Sequence, residues 1–238
     1  PLPANLGFGA ACNRAIQNLL PDPDWDYVFL VNNDATLHPE ALGHLLQAAQ
    51  ENLQAGIFGP KIYYEAAPRQ IWYAGARRRW GVLAAAETGR GQLDQGQFDQ
   101  RQQIDFVFGA GMFIRREVIE TIGLFDEQFF IYLEDLDFCL RAQKAGYSLQ
   151  FVPRALLWHR VSASTESLPD WRKYHQARST ILFLLKHTPF HLVFPVFTFW
   201  LMVFIRSVIQ ETLQGNLKSV WIYLAGLLNG ILLEKAKR

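Results

Sequence analysis

The feature that most constrains this chain is where its charges stop. From Pro1 to about Arg178, charged, polar and apolar residues mix as they do in a water-soluble domain. Thr188 to Ile205 is then a run of 18 residues without Asp, Glu, Lys or Arg, and Ser219 to Leu233 is a second run of 15. Between Thr188 and Leu233 only Arg206, Glu211 and Lys218 carry full charge. A bilayer-spanning helix needs about 20 mostly apolar residues. The first run reaches that scale, although Pro189, His191 and Pro195 weaken its first turns; the second is marginal unless it extends through Leu217. Lys186 on one side and Lys235, Lys237 and Arg238 on the other suit a hairpin with both ends cytoplasmic. Two amphipathic or core helices, lying on a membrane or in an oligomer interface, satisfy the same pattern. The layout expected is a soluble domain over 1–168, an amphipathic linker over 169–187 and a membrane-associated helical hairpin over 188–238.

Half of the 238 residues are hydrophobic and 19% are charged, so the chain has the apolar surface needed to offset its conformational entropy and disorder is excluded. With 23 Lys and Arg against 22 Asp and Glu, no concentrated basic face points to nucleic acid as a partner. Cys12 and Cys139 are too few for a disulfide framework and read as reduced, packed thiols. Within the soluble part the periodicities alternate. Tyr27–Val31 is a short apolar run typical of a strand covered on both faces. After Pro39, Leu42, Leu45, Leu46 and Ala49 recur at helical spacing. Residues 55–60 read as a strand closed by Gly59-Pro60, 77–105 as loop or hairpin, and Phe106-Val107-Phe108 as a strand entering Gly109-Ala110-Gly111. Arg116–Ile122 and Leu136–Ala145 read as helices stopped by Gly123 and Gly146. Strands alternating with helices predict an α/β fold with a mixed, mainly parallel sheet flanked by helices, followed by the C-terminal hydrophobic helices.

Four clusters could carry chemistry. Asn32-Asn33-Asp34 follows an apolar strand directly, and open α/β sheets bind ligands beyond the carboxyl ends of their strands. A carboxylate there can hold a hard divalent cation that bridges to phosphates; a plain polar turn fits the same residues. Glu134-Asp135-Leu136-Asp137 sets three acids at a helix start, where acids complement the helix dipole. Three exceed what capping needs, and such a group can supply a general base. His159, in Trp158-His159-Arg160, is a candidate ligand only in company with Asp34 and the Glu134–Asp137 acid cluster; alone it reads as a structural histidine. Small residues at Gly109-Ala110-Gly111 let backbone approach a ligand or simply bend the chain.

In their order along the chain these residues resemble the family 2 glycosyltransferases of the GT-A fold, in particular their rhamnosyltransferase-like branch. Asn5-Leu6-Gly7-Phe8-Gly9-Ala10-Ala11-Cys12-Asn13 is similar to that branch's glycine-asparagine segment. Leu30-Val31-Asn32-Asn33-Asp34-Ala35 resembles its DxD motif with Asn at the first acidic position. Phe108–Arg116 resembles the acceptor-side segment, and Phe130–Asp137 the ED signature. The resemblance implies a GT-A-like fold and inverting, metal-dependent transfer of a sugar from a nucleoside-diphosphate sugar to a hydroxyl of a glycan or lipid-linked acceptor, at the cytoplasmic face of the cell membrane. It implies Asp135 as catalytic base, Asp34 and His159 as ligands of Mg²⁺ or Mn²⁺, Asn5, Gly7, Asn32 and Asn33 on the donor side, and Gly109, Ala110, Glu134 and Asp137 on the acceptor side. It also implies that the family's opening strand–helix–strand would precede Pro1. A chain without that segment could instead be an inactive membrane-bound nucleotide-sugar-binding or scaffold protein. A glycoside hydrolase suits the acids poorly, since hydrolases set two carboxylates on opposite sides of the bond.

Overall fold

The computed structural model describes residues 4–79, 84–160 and 168–236. Gly7, at φ +84°, turns the chain into α1 (Phe8–Leu19), a conformation that a side chain would resist. The apolar run forms β1 (Tyr27–Val31), and three polar residues later comes the short β2 (Ala35–Leu37). Helix α2 (Ala41–Glu51) follows the Pro39 turn and buries Ala41, Leu45, Ala48 and Ala49. Leu42 of the same helical spacing faces solvent instead. Next come β3 (Ala55–Tyr64), β4 (Ala67–Tyr73), β5 (Ala76–Arg79), β6 (Ala84–Glu87), β7 (Gln102–Ile104) and β8 (Gly111–Arg115). The stretch read as loop or hairpin thus holds the two-stranded β5–β6 sheet and β7. Helices α3 (Arg116–Ile122) and α4 (Glu134–Lys144) precede β9 (Ser148–His159), with Gly123 and Gly146 both at positive φ where the helices end.

The main sheet runs β1-β8-β3-β9-β2, with β4 also on β3 and β7 also on β9. It is mixed, as expected, but parallel pairing is confined to its longest ladder, β3 with β9. That ladder has the crossover a parallel pair requires, since α3 and α4 lie between the two strands in sequence. The ladders of β1, β2, β4 and β7, and that between β3 and β8, are antiparallel. Phe106-Val107-Phe108 is not a strand; the regular ladder starts at Gly111, Phe106 and Phe108 are spent in an aromatic cluster, and the Val107 N–H points to Cys139 Sγ at 3.4 Å. One core lies under α2, where Leu45, Ala48 and Ala49 pack with Phe58, Phe113, Val152 and Ala155. Buried Arg115 secures it: its Nε donates to Ala55 O at 2.8 Å and its guanidinium also donates to the Ala49 and Asn52 carbonyls at the α2 C-terminus. Those carbonyls have no partner within the helix, so the side chain acts as its cap.

The chain divides into two compact units, residues 1–78, 85–126 and 134–163, and residues 79–84, 127–133 and 164–238. The second consists mainly of α5 (Pro169–His187), a single 3₁₀ turn (Phe190–Leu192), α6 (Val193–Leu213) and α7 (Leu217–Ala236). The expected linker is therefore a continuous helix. Residues Phe190–Leu213 and Leu217–Ala236 are long and apolar enough to cross a membrane. Cys12 and Cys139 are both free thiols.

Candidate active site

Strands β1 and β2 pair with different partners, so Asn32–Asp34 must carry the chain from the β8 ladder to the β9 ladder in three residues. Backbone bonds pin this crossing at both ends. Asn32 N–H donates to Ala110 O at 3.3 Å, and Arg160 N–H donates to Asp34 O at 2.9 Å. Asn33 is exposed at the turn between them. His159 is the last residue of β9, so the crossing sets three polar side chains together. Asp34 Oδ1 lies 3.1 Å and Asn32 Nδ2 3.2 Å from His159 Nε2. A single ring nitrogen cannot serve both: protonated, it donates to Asp34 and faces an N–H of Asn32; unprotonated, it accepts from Asn32 and faces a carboxylate oxygen. His159 Nδ1 is also buried without a partner among the described residues. Burial holds the His159 pKa below its ordinary value despite the opposing pull of Asp34, so the ring is neutral at pH 7.

Such a set is under-satisfied as protein and well suited as a half-built cation site. It offers one carboxylate, one neutral imidazole and, with the amide turned, one carboxamide oxygen, all donors that a hard or borderline divalent ion accepts. Among the described residues no cluster of three His, Cys, Asp or Glu side chains could hold a metal without further ligands. The remaining positions would fall to substrate oxygens and water, as in Mg²⁺ sites built around phosphates. The residues present fit the group on those terms.

Asp135 is reached through the adjoining residues of the same loop. Its Oδ2 accepts from Gly109 N–H at 3.0 Å and its Oδ1 from Leu136 N–H at 2.8 Å. Gly109 and Ala110 thus hold the acid and the Asn32 crossing from consecutive residues. Gly109 must be small, since a Cβ there would sit 2.7 Å from the Phe8 ring. Burial raises the Asp135 carboxyl to about 6, against the two backbone donors that lower it. Just before α4, Tyr132 and Leu133 both adopt left-handed backbone, at φ 69° and 67°, a conformation costing non-glycine residues about 1–2 kcal/mol each. Strain of this kind concentrates at functional turns.

The neighbouring acids part company. Glu134 is buried, its Oε2 has no partner among the described residues, and burial with the Asp135 charge pushes it well above the usual carboxylate range. It stays protonated and inside, against α1, where burial pushes the nearby Cys12 thiol up to about 11. Asp137 is fully buried and paired with Arg141 at 2.7 Å, and Arg141 in turn donates to Ile122 O and Leu124 O. The expectation that Asp137 faces an acceptor is corrected: an aspartate with no exposed surface, one turn before an arginine on its own helix, braces the α3–α4 connection. Asn5 is exposed, and its side chain accepts from Gly7 N–H at 3.0 Å, fixing the turn into α1. Residues that the sequence reading passed over also matter. Buried Asn13 clasps Phe125 through Nδ2–H to O and N–H to Oδ1, each 2.9 Å. Trp72 sets its ring edge-on to His159 at 4.8 Å and packs on Phe108 at 4.8 Å, with Arg90 over its face at 5.1 Å. No spacing in the sequence marks Trp72; only the β3–β4 hairpin brings it to His159.

Comparison with known proteins resolves the class first, that of the glycosyltransferase-like sequences. The chain belongs to the family described as Glycosyltransferase like family 2, whose profile matches residues 3–179. It is 31% identical over 204 residues to the N-acetylglucosaminyl-diphospho-decaprenol L-rhamnosyltransferase of Mycobacterium tuberculosis, covering 77% of this chain and 65% of that one. It is 21% identical over 197 residues to galactofuranosyltransferase GlfT2 of the same organism, covering 77% and 31%. The chain therefore spans less than two thirds of the length of these curated relatives. A solved structure of GalNAc-T7 with UDP, GalNAc and Mn²⁺ superposes on 76% of this chain and 38% of its own, with TM-score 0.49 and 14% identity.

Proposed function

We propose that the protein transfers a single sugar, with inversion, from a nucleoside-diphosphate sugar to a hydroxyl of a lipid-linked glycan in cell-surface polysaccharide synthesis. One observation carries the reading: consecutive residues of one loop reach both groups, Ala110 O accepting from the N–H of Asn32, whose side chain meets His159 beside Asp34, and Gly109 N–H donating to the Asp135 carboxylate. Asp34, His159 and the Asn32 carboxamide would hold Mg²⁺ or Mn²⁺, whose chemistry there is to neutralise charge on the departing diphosphate. Asp135, ionised above about pH 6, takes the acceptor hydroxyl proton as that oxygen bonds to the anomeric carbon and the diphosphate leaves with the bonding electron pair. Neutral Glu134 beside it adds no competing charge. Asn32 is free to hydrogen-bond donor oxygens once its amide turns from His159, and Asn33, exposed on the same turn, is available to the nucleotide. The relative named for L-rhamnosyl transfer to a diphospho-decaprenol sugar makes rhamnose the first donor to test. Helices α6 and α7, mostly apolar and long, support attachment to the membrane that holds such an acceptor, at its cytoplasmic face. The test is release of nucleoside diphosphate from thymidine- and uridine-diphospho sugars with a polyprenyl-diphosphate glycan. Turnover that requires both acceptor and divalent cation is expected; acceptor-independent hydrolysis or no turnover with any donor overturns the proposal.

A further inference from the structure

The three long helices of the second unit fix how its apolar surface can meet a membrane. Helices α5 and α7 run parallel, because their contacts advance together along both. Lys218 pairs with Asp170 at 2.8 Å, and Lys173 contacts Ser219. Further along, Arg178 Nε donates to Asn229 Oδ1 at 2.9 Å. The backbones nearly touch: a Cβ on Gly226 would lie 2.4 Å from Tyr174 O, and one on Gly230 would lie 2.5 Å from Arg178 O. Helix α6 lies antiparallel beside them. Lys173 near the start of α5 pairs with Glu211 near the end of α6, while Ile181 and Leu184 share an apolar cleft of about 280 Å³ with Phe197 and Phe204. Neither α6 nor α7 can therefore cross a bilayer without taking α5 along. Yet α5 carries Asp170, Arg172, Lys173, Arg178 and Lys186 along its length, and charges at bilayer depth are strongly disfavoured.

The outer faces are unpartnered and apolar. On α6, Phe194, Leu201, Ile205 and Ile209 are 81%, 55%, 47% and 54% exposed. On α7, Leu217, Trp221, Leu224, Leu228 and Leu232 form one helical row, with Trp221 72% exposed. Over 168–236 seven Lys and Arg stand against three Asp and Glu, and Arg206, Lys218 and Lys235 are exposed. A second copy would bring the same positive sign to the interface, whereas anionic headgroups complement it. We infer that α5–α7 bind one leaflet of an anionic bilayer in plane, with the α6 and α7 ridges sunk at the headgroup–acyl boundary and α5 above them, rather than as a spanning hairpin. The inference rests on the membrane reading proposed above and specifies its geometry.

The test uses the full chain in sealed inside-out vesicles from expressing cells, with Gln214→Cys at the exposed α6–α7 turn and Leu53→Cys in the first unit as the accessible control. A membrane-impermeant maleimide should label both without detergent, over the background of the unsubstituted chain. Labelling of position 214 only after detergent overturns the in-plane geometry and leaves membrane attachment standing. Purified chain should bind phosphatidylglycerol-containing vesicles about tenfold or more tightly than phosphatidylcholine vesicles, with the difference lost at high salt. Equal binding overturns the anionic preference. A chain that stays in the supernatant in both preparations, as monomer or dimer, overturns the membrane reading itself.

Discussion

Replacing Asp135 by Asn tests the assigned chemistry with almost no change in shape. The carboxylate accepts from Gly109 N–H at 3.0 Å and Leu136 N–H at 2.8 Å. Asn keeps one acceptor and turns an NH₂ toward the other donor, at a cost of about 1–3 kcal/mol for an unsatisfied buried group. Against this, the folded protein no longer carries a carboxylate displaced by burial from 3.8 to about 6, a displacement equivalent to about 3 kcal/mol. The two nearly cancel, so the variant should unfold within about 2 kcal/mol of the parent at pH 7. The sign of the pH dependence separates them. Because the folded carboxyl titrates above its unfolded value, ionisation costs the parent stability above about pH 6, and acidification from 7 toward 4 recovers it. The Asn variant lacks that gain. Catalysis moves the other way. A positioned base contributes about 10²–10⁴-fold, and kcat should fall by that factor while donor affinity is retained. In the parent, kcat should drop about tenfold per pH unit below 6, as the ionised fraction does. Single-turnover transfer assays from pH 5 to 8, beside calorimetric donor binding, measure both. Turnover near the parental value in Asp135→Asn, or an acid limb that persists in it, would refute the assignment.

Three further outcomes follow from contacts around the site. Asp34→Asn should weaken nucleoside-diphosphate binding in Mn²⁺ by about 10–100-fold and leave binding in EDTA unchanged, as titration calorimetry would reveal; equal losses in both would mean that Asp34 serves no cation. Gly109→Ala forces a Cβ to 2.7 Å from the Phe8 ring, so thermal unfolding should register about 1–3 kcal/mol of destabilisation, partly recovered by adding Phe8→Leu. Asn13→Ala orphans the buried N–H and C=O of Phe125, each worth about 1–3 kcal/mol, and denaturant melts should place it among the least stable variants.

What the sequence could reveal was local. The apolar run of β1, the glycine turn into α1 and the stop at Gly146 are decided by neighbouring residues, and each appears where its pattern falls. Phe106-Val107-Phe108 has the same pattern as a strand and is not one. Phe106 and Phe108 pack edge to face at 4.5 Å, and Tyr73 O–H donates to Phe106 O at 2.5 Å, so partners 33 residues away consume the groups a ladder would use. Strand direction was likewise beyond reach, because the antiparallel β1–β8 ladder joins residues 80 or more positions apart. Asp137 is the instructive case among the acids. Arg141 stands four residues on, the spacing of an intrahelical ion pair, and that signal was available beside the count of carboxylates that drew attention to the cluster.

The three acids at the start of α4 resolve into a single free charge, and this explains why a cluster is needed at all. Asp137 is neutralised by Arg141 and Glu134 by its own proton, which burial and the adjacent carboxylate together retain. Only Asp135 ionises near neutral pH, with its charge held by two peptide N–H groups rather than by a cation. A lysine or arginine partner would satisfy the carboxylate better and thereby depress its basicity, whereas backbone donors in a half-buried setting fix its direction and leave it able to accept a proton. The imidazole of His159 obeys the same logic from the other side of the loop: burial keeps it neutral and under-satisfied, which is the state in which it can ligate. Both halves of the site are therefore poised by desolvation, and the peptides of Gly109 and Ala110 tie one to the other.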